Sequence, residues 1–183
     1  AVPCFGENTG TSTLSLTGSA PFLFTWIDSL GNVVDQINST SSPVSTDSLF
    51  AGTYLGIAVD SFGCTDTIPI QISEPPAPVS LNLTSLQNVD CFGNANGEIH
   101  VSGTGGTPGY EYSIDGGFNF NTTGSFTGLG AAIYTVIVRD NNLCQATLTD
   151  TIQTPTGLFA QITTLKHIDC FGANTGAFAL VGQ

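Results

Sequence analysis

The chain has no methionine and, in 183 positions, only two basic residues, Arg139 and Lys166. Against 14 Asp and Glu this leaves a formal net charge of -12. Nucleic acid and anionic membrane are thereby excluded as partners, because both need clustered Lys and Arg to neutralise phosphate. Charged residues of both signs make up 9% of the chain, well below the roughly 25% of ordinary domains. Helix signals are missing as well: no window sets apolar residues at i, i+3, i+4 and i+7 between caps. No apolar run approaches the ~18–20 residues of a membrane span, so membrane insertion is not expected. No basic segment precedes Ala1, which suggests a mature or excised stretch of a longer chain.

Catalytic chemistry is equally thin, and the chain is not expected to be an enzyme. His100 and His167 are the two histidines, and neither has a counterpart in the internal repeat described below. Glu98 and Glu111 could meet across strands as a carboxylate pair, but the other repeat does not preserve them. Gly103-Thr104-Gly105-Gly106 leads into a strand, so it is not a phosphate-binding loop.

What fills the chain is Ser, Thr, Gly, Asn and an apolar share of 40%. Short β-branched and aromatic runs alternate with polar residues between Gly, Pro, Asn and Asp clusters, the pattern of strands and turns. The chain also repeats itself. Cys4-Phe5-Gly6-Glu7-Asn8-Thr9-Gly10 returns as Cys91-Phe92-Gly93-Asn94-Ala95-Asn96-Gly97 and again as Cys170-Phe171-Gly172-Ala173-Asn174-Thr175-Gly176. A second block aligns without gaps, Ala51 to Cys64 with Ala131 to Cys144, and continues through Ile72 and Pro75 to Ile152 and Pro155. A third, Pro21-Phe22-Leu23-Phe24-Thr25-Trp26, matches Pro108 to Ile114 with one inserted Gly. Recurrence in this order predicts a repeat at residues 1–88, a second at 89–168, and the start of a third at 169–183.

Each repeat carries one early and one late cysteine. The reading is therefore one disulfide per repeat, Cys4 with Cys64 and Cys91 with Cys144, leaving Cys170 for a partner outside the sequence. The alternative is free thiols in a reducing compartment.

In the second repeat, strands are expected at 97–102, 110–115, 118–120, 125–129, 133–140, 145–153 and 158–168, with a hairpin turn at Asp115-Gly116. Phe22, Phe24 and Trp26 share one strand face at period two, as do Tyr110, Tyr112 and Ile114; such a stripe is core rather than ligand platform. Leu49-x-x-Gly52-x-Tyr54 and Leu129-x-x-Ala132-x-Tyr134 sit where a tyrosine corner sits in an immunoglobulin-like sandwich. The expected fold is all-β: tandem immunoglobulin-like β-sandwich repeats of about seven strands. Pro75, Pro76 and Pro78, and later Pro155, would limit bending between them.

These blocks resemble the SprB-type repeat of very large surface proteins in Bacteroidota-type bacteria. Pro21 to Trp26, Leu49 to Tyr54 and Val59-Asp60-Ser61-Phe62-Gly63-Cys64 carry the resemblance. Ile114 in place of Trp, Ala132 in place of Gly and Leu143 in place of Gly depart from it. The resemblance implies type IX secretion, a place at the cell surface or in a secreted filament, and a role in adhesion linked to gliding. Partners are then neighbouring repeats, other copies in a filament, and an extracellular surface or glycan.

Asp28-Ser29-Leu30, Asp47-Ser48-Leu49, Asp66-Thr67-Ile68 and Asp150-Thr151-Ile152 match the O-glycan acceptor of such bacteria, which makes Ser29, Ser48, Thr67 and Thr151 candidate glycosylation sites. Asn38, Asn82 and Asn121 begin weaker N-glycan motifs. No cofactor is expected. Calcium at Asp60 and Asp140 is the one alternative, weighed against an Asx-type turn; the turn is favoured because no cluster of three acids lies nearby. The competing function is a glycan- or calcium-binding sandwich. The seven-residue excess of the first repeat, around Ser29–Thr46, is where that site would lie if it is not an idle loop.

Overall fold

A computed structural model describes residues 1–172 and 174–182, which form strands and no helix. In the first repeat these are β1 (Gly10–Leu14), β2 (Phe22–Asp28), β3 (Val33–Ser39), β4 (Val44–Leu49), β5 (Gly52–Val59) and β6 (Thr65–Ile72). Then follow β7 (Ser80–Gln87), β8 (Gly97–Thr104), β9 (Glu111–Ser113), β10 (Ser125–Leu129), β11 (Ala132–Arg139) and β12 (Gln145–Ile152). A last pair, β13 (Ala160–Lys166) and β14 (Ala177–Gly182), makes an antiparallel hairpin with its side chains exposed. The sheets are β1-β4, β3-β2-β5-β6, β10-β8-β7, β12-β11-β9 and β13-β14. Compact units are formed by residues 1–82 with 102–124 and 136–148, and by residues 83–101 with 125–135 and 149–183.

In the first unit, the period-two stripe of β2 is the core: Phe24 and Trp26 are fully buried and Phe22 nearly so. They pack with Leu14 of β1 and Ala58 of β5, with Ile37, Val44 and Ile70 around them. Val2, Leu49, Tyr54 and Ile72 form a second cluster. The Trp26 indole N–H donates to Ser12 Oγ on the facing sheet at 3.1 Å, so the one polar atom of the largest buried side chain is satisfied. Two sheets sharing one core make a sandwich. The immunoglobulin-like mark is the corner: the Tyr54 hydroxyl donates to Phe50 O at 3.0 Å.

The second unit repeats that corner, with the Tyr134 hydroxyl donating to Gly130 O at 3.1 Å. Val89, Ile99, Val101, Phe126 and Ile152 are its buried apolar residues. The chain is all-β, in tandem immunoglobulin-like sandwich repeats.

The repeated heptapeptide now has a physical reason. Gly6, Gly93 and Gly172 hold φ of +75°, +84° and +82°, a left-handed turn that favours glycine. In the first two copies the glycine four residues later is needed for space. A Cβ on Gly10 would stand 2.6 Å from Leu49 O and 2.8 Å from Ile72 Cγ2; on Gly97 it would stand 2.9 Å from Leu129 O and 2.8 Å from Ile152 Cγ2.

One strand expectation and one loop expectation need correction. Residues 118–120 are not a strand: the Asp115 carboxylate takes the N–H groups of Phe118 and Asn119 at 3.1 and 3.0 Å, curling the chain, which rejoins only through a Tyr112–Asn121 bridge. The excess of the first repeat is not an idle loop. It builds β3, which pairs with β2 from Phe22–Ser39 to Ile27–Val33.

Candidate functional site: the joint at Cys4 and Cys144

Cys4 is bonded to Cys144, with Cα atoms 5.6 Å apart. This corrects the pairing expected from the repeat, Cys4 with Cys64 and Cys91 with Cys144. The reason is strand length. The Val2 N–H donates to Ser73 O at 2.7 Å, which holds the N-terminal segment beside the far end of β6. Cys64 stands at the near end of β6, eight residues away. At roughly 3.3 Å per residue that is about 26 Å, several times the Cα separation a disulfide spans. The second repeat is wired alike, with the Val89 N–H on Gln153 O and β12 lying between Cys144 and Gln153.

What lies within reach of Cys4 is the turn that presents Cys144. Asp140 Oδ1 accepts the N–H groups of Asn142 and Cys144, both at 2.9 Å, and Oδ2 accepts that of Thr107 at 2.7 Å. Asn142 Nδ2 donates to Pro3 O at 2.9 Å and to Thr107 Oγ1 at 3.0 Å. The connection between the repeats closes on the same place: the Gly106 N–H donates to Ala77 O at 2.9 Å. A Cβ on Gly105 would clash with Pro78 O, so the connecting segment lies directly on this glycine. Asp140 is buried among these bonds.

The equivalent turn of the first repeat is built the same way. Asp60 Oδ1 accepts the N–H groups of Phe62 and Cys64, both at 2.9 Å. Those backbone donors, Cys64 foremost, hold the Asp60 carboxyl below the ordinary carboxylate range. Both aspartates therefore serve as Asx-type turns. Among the described residues no three His, Cys, Asp or Glu converge on a point where an ion could sit.

The same device, an Asp capping the residue four positions on, recurs in hairpins. Asp28 takes Asn32, Asp90 takes Asn94 and Asp115 takes Asn119. Each of these carboxyls is held low, Asp28 and Asp90 chiefly by the Asn side chain and Asp115 chiefly by the Asn119 N–H. The spacing Asp-x-x-x-Asn was open to reading in the sequence.

The candidate acceptors Ser29, Ser48, Thr67 and Thr151 are all exposed. In two of them the preceding aspartate caps the acceptor's own N–H: Asp66 bonds Thr67 at 2.8 Å and Asp150 bonds Thr151 at 2.7 Å. Asn38 and Asn82 are exposed, while Asn121 Oδ1 is engaged by Thr123 and Gly124. Cys64, Cys91 and Cys170 are free and exposed.

Glu98 and Glu111 do not form a pair, because each is committed elsewhere. Glu111 bonds Arg139, whose guanidinium also lies 3.8 Å over the Phe120 ring. Glu98 Oε2 lies 3.0 Å from His100 Nε2, and His100 Nδ1 lies 3.0 Å from Ser125 Oγ. That Ser-His-Glu line was not foreseen, since Ser125 is far from His100 in sequence. Ser125 and His100 are register partners within the β10-β8 sheet, which sets their side chains side by side. His167 lies exposed beyond β13.

Fold and joint together define a tandem repeat module of immunoglobulin-like β-sandwiches. The family model described as SprB repeat matches residues 83–119, so the chain carries a SprB-type repeat there. That match runs from β7 through the Asp115 hairpin. No curated protein matches the chain in sequence.

Solved structures with similar folds include three N-terminal domains of the Highly Immunogenic Outer Capsid protein of bacteriophage RB49. That protein is 14% identical, with 99% of this chain and 66% of that one covered and a TM-score of 0.44. A C-terminal intimin fragment, in complex with the intimin-binding domain of the translocated intimin receptor, is 14% identical over 84% of this chain and 60% of that one, TM-score 0.43. Fibronectin(III)-like modules of Clostridium thermocellum CbhA are 15% identical over 79% and 84%, TM-score 0.37. The chain thus spans 66% and 60% of the first two.

Proposed function

We propose that the chain is a structural and adhesive segment of a bacterial cell-surface filament or adhesin, a shaft of stacked sandwiches rather than a catalyst. The SprB-type repeat supports a surface adhesin repeat module. The observation that carries the shaft is the joint. A bond from Cys4 to Cys144, together with the Ala77–Gly106 hydrogen bond, ties the start of one repeat to the late turn of the next. Chains whose units contact only neighbours gain stability locally and by nearest-neighbour terms, which suits a mechanical stalk.

In this reading the repeats are 1–88, 89–168 and 169 onward. Export follows the type IX route, and Ser29, Ser48, Thr67 and Thr151 bear O-glycans. Neighbouring repeats and other copies in a filament are the partners, and the role extends to gliding. Unmodified peptides across all four acceptors in native material would remove the glycans from this account.

The test of the shaft is competition. The purified chain, added in excess to cells displaying the whole surface protein, should leave their attachment unchanged. If it blocks attachment, the chain is itself the binding module.

A further inference from the structure

We infer that Cys64 and Cys91 are half-sites of further joints like Cys4–Cys144, so that the early cysteine of each repeat is bonded to the late cysteine of the repeat that follows. The occupant in each case is another repeat of this same pattern. This rests on the reading that further repeats adjoin those in the chain.

Both half-sites are already built. Cys64 is presented as Cys144 is: Asp60 N–H to Cys64 O at 3.0 Å matches Asp140 N–H to Cys144 O at 3.0 Å, and the two carboxylates cap the two turns with the same pair of bonds. Cys91 is presented as Cys4 is: Asn94 N–H to Cys91 O matches Glu7 N–H to Cys4 O, and Val89 on Gln153 matches Val2 on Ser73.

The surroundings of Cys4 and Cys91 differ in whether a late cysteine covers them. Beside Cys4 a cleft of about 180 Å³ is lined by Phe5, Glu7, Pro78 and Val79, with Cys144 and Gln145 filling one side. Beside Cys91 the corresponding cleft, lined by Phe92 and Pro155 to Phe159, holds about 430 Å³. Its apolar lining is bare: Phe92 is 66%, Leu158 86% and Phe159 71% exposed. At the closed joint the counterpart Phe5 is 45% exposed and Val79 is half-buried. The open cleft, which Asp90 also borders, sets Phe92, Leu158 and Phe159 where the one that Cys144 fills has Phe5, Pro78 and Val79. On the other half-site Phe62 is 81% exposed beside the exposed Cys64. A free thiol set in an uncovered apolar patch, at both ends of a device seen closed once, fits a repeat of the same kind.

Closure is an oxidation. Two thiols lose two protons and two electrons and form one S–S bond, and a disulfide-bearing donor takes these up by exchange and leaves as a dithiol.

The experiment completes the third repeat. The chain is extended after Gln183 by a second copy of residues 105–168, carrying Leu143→Gly in that copy as a mass tag. Glycine is tolerated there because Leu143 holds φ +67°. Peptide mapping without reduction should link Cys91 to the appended late cysteine, retain Cys4–Cys144, and leave Cys64 and Cys170 open to alkylation. A bond from Cys170 to the appended cysteine, or an alkylated Cys91 in a folded extension, would overturn the inference. Native material, which needs no engineered fold, gives the second reading. There Cys64 and Cys91 must both be bonded to cysteines outside residues 1–183, and either one free sinks the ladder. The shaft reading would survive that result, because it rests on the Cys4–Cys144 joint, which that result leaves in place, and is tested separately by competition.

Discussion

Cys4 and Cys144 are joined across 140 residues of sequence, farther than either repeat is long, and so the bond ties one repeat to the next. In the chain-entropy account a loop of that length stabilises the fold by about 5 kcal/mol, the upper part of the range for disulfides. Cys144→Ser, or gentle reduction, should therefore lower the melting temperature clearly in calorimetry. Cys64→Ser and Cys91→Ser should leave it within a degree or two in the same chain. Equal losses from all three would mean that the bond is not where the fold places it.

Gly10 and Gly97 are required for space rather than for turn geometry. Gly10→Ala and Gly97→Ala should each cost about 1–3 kcal/mol through overpacking. Gly130→Ala, where a Cβ meets nothing within 4 Å, is the control and should be near neutral. Chemical denaturation of the three variants checks this.

Removal of either corner hydroxyl tests the sandwich itself. Tyr54→Phe and Tyr134→Phe should each cost about 0.5–1.5 kcal/mol, the net worth of one hydrogen bond. The two losses should be similar, since the bonds are 3.0 and 3.1 Å and each reaches back four residues.

The capping aspartates set the acid limit of the fold. Asp28, Asp60, Asp90 and Asp115 all have carboxyls held below the ordinary carboxylate range by hydrogen bonds to the charged form. Their stabilisation is complete above the unfolded carboxyl pKa and is lost as pH falls through the lowered folded values. The melting temperature should thus be flat near pH 5 to 7 and fall below about pH 4. Relief of the self-repulsion of net charge -12 works the other way and should blunt the fall. Asp115→Asn should flatten the acid limb, because Asp115 is the most strongly lowered of the four.

The Ser125–His100–Glu98 line gives a direct check on the proposal that the chain is a shaft rather than a catalyst. A serine-reactive phosphonate probe should leave Ser125 unlabelled, and Ser125→Ala should change stability only slightly. Labelling of Ser125 that is lost in His100→Ala would reopen the question of an enzyme.

Much of this was legible in the residues. The Phe22-Phe24-Trp26 stripe gave the core because alternation at period two is a local property. Leu49-x-x-Gly52-x-Tyr54 gave the corner because its bond spans only four residues. The heptapeptide and the Ala51–Cys64 block gave the repeats by plain recurrence. The disulfide was hidden for a physical reason. Recurrence shows that Cys4 is equivalent to Cys91 and Cys64 to Cys144, but within-repeat and between-repeat bonds each pair one early with one late cysteine. Only the length of β6 separates them, and it does so by putting Cys64 at the opposite end of the strand from Cys4. Residues 118–120 were misread because three consecutive residues carry no periodicity that could outweigh the Asp115 cap. The role of β3 was missed because the Ser, Thr and Asn around it read as loop.

The most direct test of the account is a peptide map of native protein digested without reduction. It predicts a Cys4–Cys144 peptide pair, which binds one repeat to the next. Finding Cys4 linked to Cys64 and Cys91 linked to Cys144 would contradict it, confining each bond to its own repeat and dissolving the joint on which the shaft and the ladder are built.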